Sequence, residues 1–456
     1  MNAPVSARAF DAQAVLARAA RAPRYTSYPT ANHFSAAVGA ELSDTWLAAL
    51  PEEASLSLYL HIPFCDQMCW YCACTTKATK RYAPIAAYLD TLEQEMARIA
   101  ERLPAFHRVR HIHLGGGSPD ILSSEDMLRL GERLHALFRI DPDAEFAIEI
   151  DPRLMTEAKA DSLAAIGVNR ISVGVQDFDE SVQAAIGRMQ SFEETRAAVA
   201  MFRARGITSI NLDLVYGLPH QTLDTVMATL DRALELSPDR IALFGYAHLP
   251  QRAANQRLIN EAALPDLNAR YALSCALSRA LTDAGYVALG VDHFAIATDT
   301  LAKAPLKRNF QGYTTDDADA LIGMGASAIS RLPQGFAQNA TGARDYAERI
   351  AAGGLATVRG AALTADDRVR AAAISALMCD FTFDGETLTA DFGEAAADVI
   401  AIAETLLAQD QDGLLERTDA GFRLTEAGRP FVRIVCAAFD AYLSPDPAAR
   451  RHAPAI

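Results

Sequence analysis

The chain has 456 residues, half of them hydrophobic, and a formal net charge of −15. Its length suggests about three domain-sized units of ~150 residues, or one barrel of roughly 250 residues with additions. The negative balance argues against wholesale binding to nucleic acid or an anionic membrane, and no apolar run reaches the ~18 residues needed to span a bilayer.

Residues 1–50 read as an N-terminal arm. Ala12 to Ala20 has the pattern of a short helix, which Arg24-Tyr25-Thr26-Ser27-Tyr28-Pro29-Thr30 cannot continue, because Pro29 and the β-branched residues break it. The start carries Arg8, Arg18, Arg21 and Arg24 but no continuous apolar core, so it does not read as a secretory signal. Leu56 to Ile62 alternates and is rich in apolar residues, as a strand would be, and Pro63 ends it. Directly behind it come Cys65, Cys69, Cys72 and Cys74, four of the seven cysteines within ten residues. They therefore lie on a loop at the C-terminal end of a strand. Cys275, Cys379 and Cys436 stand alone in apolar helical stretches and read as core residues. Clustered, odd-numbered cysteines fit a reducing cytosol better than a disulfide framework. Thiolates bind soft metals; structural zinc draws on two well-separated ligand pairs, and no second pair follows here. A C-x3-C-x2-C loop can instead wrap three corners of a 4Fe–4S cube and leave the fourth iron open.

This spacing, on the loop after a first strand, resembles the signature of radical S-adenosylmethionine (SAM) enzymes. The longer string Tyr59-Leu60-His61-Ile62-Pro63-Phe64-Cys65, with Cys74 two residues after Cys72, is similar to one branch, the oxygen-independent coproporphyrinogen III oxidases. The resemblance implies a 4Fe–4S cluster on Cys65, Cys69 and Cys72, with SAM on the fourth iron and Cys74 outside the ligand set.

From Leu56 onward strand and helix alternate. Strands are expected at 56–62, 109–114, 145–150, 169–175, 208–214, 239–245 and 286–289, and helices at 85–102, 123–138, 156–165, 193–205, 223–236 and 266–284. Such alternation predicts parallel strands with crossover helices. The resemblance tips this α/β pattern toward a partial, six-stranded (β/α)6-type radical SAM barrel, with chemistry at the C-terminal strand ends. Polar residues do cluster there. The second strand runs into Gly115-Gly116-Gly117-Ser118-Pro119, followed by an unexplained Asp120; Glu149 points away from the apolar face of Phe146, Ile148 and Ile150. Gln176, Arg188, Asp213 and Ala247 follow or close later strands. Each alone could be a cap, an ion pair or a turn residue. By resemblance they line two SAM sites per active site: Tyr59 and Glu149 near the cluster-bound SAM, and Tyr71, Gln176, Arg188 and Asp213 near a second. The same resemblance gives Gly116, Gly117 and Ser118 backbone contact with SAM, and places Ala247 and Ile329, in Gly323-Met-Gly-Ala-Ser-Ala-Ile329, at SAM as well.

Gly290 to Phe294 and Arg308 to Thr315 also resemble segments of the coproporphyrinogen branch. Residues 356–456 read as a mostly helical, winged-helix-like domain behind a catalytic region of 51–355: amphipathic helices at 366–377 and 392–408, a hairpin over 412–425 and a helix at 426–443. Its mixed-to-acidic charge lacks the basic recognition helix that DNA binding would want.

The resemblance implies that a 5′-deoxyadenosyl radical takes a hydrogen from the β-carbon of a propionate of coproporphyrinogen III, and that loss of CO2 and an electron leaves a vinyl group. Two such steps give protoporphyrinogen IX in haem biosynthesis. The partners implied are that substrate, a one-electron donor and an electron acceptor, with a monomeric, cytoplasmic protein. Arg24, Lys77, Lys80, Arg81 and Arg308 are candidate partners for the substrate carboxylates, or equally solvated surface charges. The rivals are a radical-SAM-like haem chaperone, in which the position of Cys74 is usually phenylalanine, and a haem-degrading radical SAM methyltransferase.

Overall fold

The computed structural model describes residues 10–18, 22–103 and 107–444. It divides into two compact units, Phe34–Leu264 with Asp316–Ala362, and Met1–His33 with Pro265–Thr315 and Leu363–Ile456. This partition differs from the expected one. Pro265–Thr315, expected with the barrel, clusters with the start of the arm and the C-terminal part, whereas residues 34–50 go with the sheet.

The first unit is built on a sheet of ten strands: β1 (Ser55–Ile62), β2 (Arg108–Gly116), β3 (Arg139–Ile150), β4 (Arg170–Gln176), β5 (Ser209–Tyr216), β6 (Arg240–Gly245), β7 (Ala320–Met324), β8 (Ile329–Leu332), β9 (Gly335–Asn339) and β10 (Thr357–Ala362). Within the unit their order is β10-β9-β8-β7-β1-β2-β3-β4-β5-β6. Strands β1 to β6 pair parallel in sequence order, and β7 pairs parallel with the other side of β1. The order is linear, the open sheet of a partial barrel. The six expected strands are all present, β3 starting six residues earlier than anticipated. Strands β7 to β10 were not anticipated; the last three pair antiparallel and extend the sheet past β1. Segment 286–289 is a strand, but it pairs antiparallel with His293–Ile296 and so adds no seventh parallel unit.

The alternation in β1 explains its place. Leu56, Leu58, Leu60 and Ile62 are at most 1% exposed and form one apolar row, while Ser57, Tyr59 and His61 form the opposite row. Helices follow the strands at Ala83–Arg102, Ser124–Leu137, Glu157–Ala165, Phe192–Arg203 and Leu223–Glu235. The first buries Ile85, Tyr88, Leu89, Leu92, Met96 and Ile99 along one stripe. Side-chain caps start the others: Ser123, Thr156, Ser191 and Thr222 accept backbone N–H groups, the last two in capping boxes. The face of β2 to β5 opposite the apolar row is polar and internally paired. His111 lies 3.7 Å from Asp316, Glu145 2.8 Å from Arg170, and Ser172 donates to Asp213 at 3.0 Å.

In the second unit Ala12–Arg18 is helical; its expected continuation through Ala20 lies outside the described residues. Tyr25 and Tyr28 are buried in a core with Val369, Leu377, Phe383, Phe422 and Phe439, which makes this stretch of the arm a packing element. Helices Leu267–Asp283, Ala365–Asp380, Gly385–Phe392 and Ala397–Gln409 belong here, with a three-stranded antiparallel sheet in which Gly421–Leu424 lies between Thr382–Asp384 and Leu415–Thr418. The helix expected over 392–408 is split because Gly393 adopts a φ of 59°. The one expected over 426–443 shrinks to Val432–Ala437, entered through a single turn that Pro430 can only begin.

Among the described residues, no helix is long and apolar enough to cross a membrane.

Candidate active site

The cysteine loop leaves the C-terminal end of β1 and is fastened on every side. Phe64 and Cys65 pair with Lys77 and Ala78 as a short parallel ladder. The Trp70 N–H donates to the Ile186 carbonyl at 2.8 Å, and the Thr79 N–H to the Cys65 carbonyl at 2.9 Å. From below, the glycine triplet presses against it: Gly117 N–H donates to Ile62 O at 2.9 Å and Ser118 N–H to Phe64 O at 2.8 Å. A Cβ on Gly117 would collide with the Phe64 carbonyl and Thr76, and one on Gly116, whose φ is +115°, would lie 2.7 Å from the His61 ring. The glycines are thus required by the approach of the chain to its own cysteine loop.

Each of the three spaced sulfurs is addressed by a hydrogen-bonding group. Thr76 Oγ1 lies 3.2 Å from Cys65 Sγ, with Ser118 Oγ at 3.9 Å. Arg188 Nη1 donates to Cys69 Sγ at 3.5 Å, and Cys74 N–H to Cys72 Sγ at 3.4 Å. Hydrogen bonding from Cys74 pulls the Cys72 thiol down to about 7. Donors aimed at sulfur stabilise thiolate, the form that binds metal, and tune the clusters thiolates hold. The donor set therefore fits an iron–sulfur cluster on Cys65, Cys69 and Cys72. Among the described residues no three His, Cys, Asp or Glu side chains converge on a single metal ion; a cluster does not require it, since each thiolate takes its own iron.

Two groups of expected residues flank this loop. On one side, the Tyr59 ring stacks on His113 with centroids 5.9 Å apart, and its hydroxyl meets His61 Nδ1 at 2.9 Å. Glu149 lies 3.2 Å from both His113 Nε2 and the Gly116 N–H. Burial works to raise the Glu149 carboxyl, but His113 and Gly116 outweigh it and hold the group below its ordinary value. On the other side, Arg188 ties Cys69 to the Gly174 carbonyl at 2.7 Å and to Asp151 at 3.3 Å. Gln176 stands beside it in a left-handed conformation, φ 71°, a strained backbone state that clusters at functional sites. Tyr71 packs on the apolar cluster of Val182, Ile186, Val215 and Tyr246. Asp213 is tied instead to Ser172 and Asn211. Ile329 begins β8 against Gly323, which pairs with Tyr59 in the sheet.

Sequence reasoning missed three features. Asn255 Nδ2 reaches the carbonyls of Cys69, Trp70 and Cys72 at 3.0, 3.2 and 2.8 Å. Gln256, fully buried, donates to the carbonyls of Tyr71 at 2.7 Å and Ala247 at 3.1 Å, bridging the loop to the end of β6. An Asn-Gln pair in a loop carries no signal on its own. Asp151 is the third: it links Arg153 at 2.5 Å with Arg188, and its N–H donates to Asp120.

Asp120, unexplained in the sequence, is 1% exposed, and one of its carboxylate oxygens has no hydrogen-bond partner. Burial and the neighbouring Asp151 push its carboxyl up to about 7. A carboxyl raised this far above its unfolded value of about 3.9 loses its contribution to stability as pH rises from about 4 to 7. Asp120→Asn is therefore expected to stabilise the protein by about 1–2 kcal/mol at pH 8, part of the ~4 kcal/mol that a three-unit shift represents. The gain should shrink steadily below pH 7; urea unfolding of both proteins at pH 5 and pH 8 checks it, and a pH-independent difference would contradict the assignment.

Comparison with known proteins agrees with this arrangement. Residues 59–233 match the model described as Radical SAM superfamily, and residues 363–431 that described as HemN C-terminal domain. The oxygen-independent coproporphyrinogen III oxidase of Bradyrhizobium diazoefficiens is 47% identical over 440 residues, 96% of this chain and 97% of that protein. The enzyme of that name from Escherichia coli K12 is 42% identical over 92% of this chain and 93% of its own. The solved structure of the E. coli coproporphyrinogen III oxidase, a radical SAM enzyme, superposes with a TM-score of 0.89 at 40% identity, covering 95% of this chain and all of that one. With a thiolate loop at the top of an open parallel sheet and identity sustained over nearly its whole length, the chain belongs to the oxygen-independent coproporphyrinogen III oxidase family of radical SAM enzymes.

Proposed function

We propose that the protein carries out the oxygen-independent oxidative decarboxylation of two propionates of coproporphyrinogen III, giving protoporphyrinogen IX for haem biosynthesis. The observation that carries the reading is the set of three hydrogen-bonded sulfurs at the strand ends, in a chain whose named relatives match it end to end. A bound 4Fe–4S cluster and SAM would supply the one-electron cleavage that yields a 5′-deoxyadenosyl radical. The chain's own residues hold the partners. Cys65, Cys69 and Cys72 present thiolates; Glu149, kept ionised beside Gly116, suits the ammonium of SAM, and the backbone of Gly116, Gly117 and Ser118 permits close approach. Tyr59, Ala247 and Ile329 belong to that site, and Tyr71, Gln176, Arg188 and Asp213 to a second SAM. Arg188 reaches Cys69 and Gly174 together, so it also fixes the distance between loop and sheet. The protein acts as a cytoplasmic monomer with an external one-electron donor and an electron acceptor.

An anaerobic assay on reconstituted protein with a reductant, SAM and coproporphyrinogen III tests this. Vinyl-bearing porphyrinogen and 5′-deoxyadenosine are expected together by chromatography. Deoxyadenosine without vinyl product would leave a radical SAM enzyme acting on another substrate; neither, with tight haem binding, would establish a haem-binding module instead.

A further inference from the structure

The two family-like segments outside the barrel pack on one another in the second unit. Lys307–Asn309 pairs antiparallel with Gly312–Thr314, which sets Arg308 opposite Tyr313. The Arg308 guanidinium lies 4.4 Å from the centre of the Tyr313 ring, a cation–π contact. That ring cannot shift. Its hydroxyl donates to the Met378 carbonyl at 2.6 Å and accepts from the Val291 N–H at 3.1 Å. The turn at Gly290 passes so close that a Cβ there would overlap the ring. Arg308 Nη2 donates to the Arg24 carbonyl at 3.1 Å. Its Nε and Nη1 are buried with no hydrogen-bond partner, and so is Oε1 of Gln311 on the turn joining the two strands.

Two buried guanidinium nitrogens, with three N–H groups between them, are costly when left unpaired, and a native structure keeps such groups where something else supplies the acceptor. The neighbouring carboxylate of Asp292 does not supply it. Asp292 is bonded to His293 Nδ1 at 2.8 Å; burial works to raise it, but His293, Arg308 and Arg24 hold its carboxyl down at about 2. The other candidate cations look different: Arg24, Lys77 and Arg81 are exposed, and exposed Lys80 is paired with Asp66 at 2.5 Å. Of these, only Arg308 combines a fixed plane with buried, empty donors.

We propose that Arg308 is a substrate-anchoring residue, binding one carboxylate of the tetrapyrrole through its unpaired N–H groups, with Gln311 Oε1 placed to accept an N–H. This rests on the proposed function above and extends it to the recognition of a multiply anionic ligand. A charged hydrogen bond of this kind contributes about 10- to 100-fold in affinity.

The test uses the full-length, cluster-loaded protein and its Arg308→Met and Arg308→Lys variants. Coproporphyrin III, the stable oxidised form with the same four carboxylates, is titrated by fluorescence, and KM and kcat are measured with the porphyrinogen. Arg308→Met should weaken coproporphyrin III binding about 10- to 100-fold and raise KM in proportion, with kcat changed less than about threefold, the pattern of lost uniform binding. Arg308→Lys should recover part of the loss. Unchanged affinity and KM in Arg308→Met overturn the proposal, as does loss of the parent's thermal transition in both variants, which would make the guanidinium a purely structural element. The two readings fail separately. Vinyl product with unaltered KM in Arg308→Met removes the anchor and leaves the reaction; Arg308-dependent binding without vinyl product removes the reaction and leaves the anchor.

Discussion

Cys65→Ala, Cys69→Ala or Cys72→Ala, each alone, is expected to abolish both the iron–sulfur absorbance and turnover, whereas Cys74→Ala is expected to retain the cluster. The four thiols share one short loop, but their surroundings differ. The first three sulfurs each have a neighbouring donor in Thr76, Arg188 or the Cys74 backbone N–H. Cys74 is exposed, and it acts on a neighbouring thiol: both its own thiol and its backbone N–H hydrogen-bond Cys72. A cluster with SAM on its fourth iron needs three protein thiolates, and removing one leaves an iron without its ligand. Iron and sulfide analysis after anaerobic reconstitution reads the result directly. A Cys74→Ala protein with no cluster would place Cys74 among the ligands.

The second large effect is expected at Glu95, far from any cysteine in sequence. This carboxylate is 1% exposed on the helix Ala83–Arg102. It accepts from Tyr346 Oη at 2.7 Å, the Gly325 N–H at 2.6 Å and Asn339 Nδ2 at 2.7 Å. Asn339 Nδ2 also donates to the Gly325 carbonyl at 3.0 Å. Beside it, the Ala326 N–H donates to Tyr88 Oη, which itself donates to the His61 carbonyl at 2.7 Å. Glu95 therefore pins the turn between β7 and β8 to its own helix, and Tyr88 on the same helix ties that turn to β1. Glu95→Ala leaves three buried donors unsatisfied and a cavity, a cost of about 3–5 kcal/mol. Glu95→Gln keeps the volume but turns an NH2 toward groups that donate, so roughly half that loss is expected. Denaturant unfolding of the two variants gives the comparison; equal stability of Glu95→Ala and the parent would contradict this account.

The parts of this molecule legible in the sequence are those fixed by short-range pattern. Strands β1 to β6 show period-two rows or apolar runs bounded by turns, and their helices show an apolar stripe and, in four of five, a side-chain cap, so both could be placed to within a few residues, the start of β3 apart. The cysteine loop was legible because thiol spacing is chemistry in itself. Strands β7 to β10 were missed because they run only four to six residues, and β7 and β9 are buried along their whole length, which removes the alternation that marks a strand. The expected 426–443 helix failed where Pro430 restricts the start. At the site, Glu149 and Arg188 could be singled out by their place at strand ends. Asn255 and Gln256 could not, because their role is to offer amide N–H groups to main-chain carbonyls far away in sequence, and no spacing rule encodes that. Asp120 was visible as an anomaly, and burial beside Asp151 gives it physical content.

The fastening of the cysteine loop bears on how the protein lives with oxygen. In small zinc domains the metal is the fold's keystone, and its departure unravels the chain. Here Asn255, Gln256, the Ile186 carbonyl and the Cys65–Ala78 ladder fasten the loop through hydrogen bonds to the rest of the barrel. Ordering ten residues costs on the order of 1–2 kcal/mol each, and these hydrogen bonds offset part of that cost. The loop is therefore expected to keep much of its shape when air destroys a cluster, and recovery of iron and sulfide by air-treated protein under anaerobic reconstitution, without a refolding step, checks it.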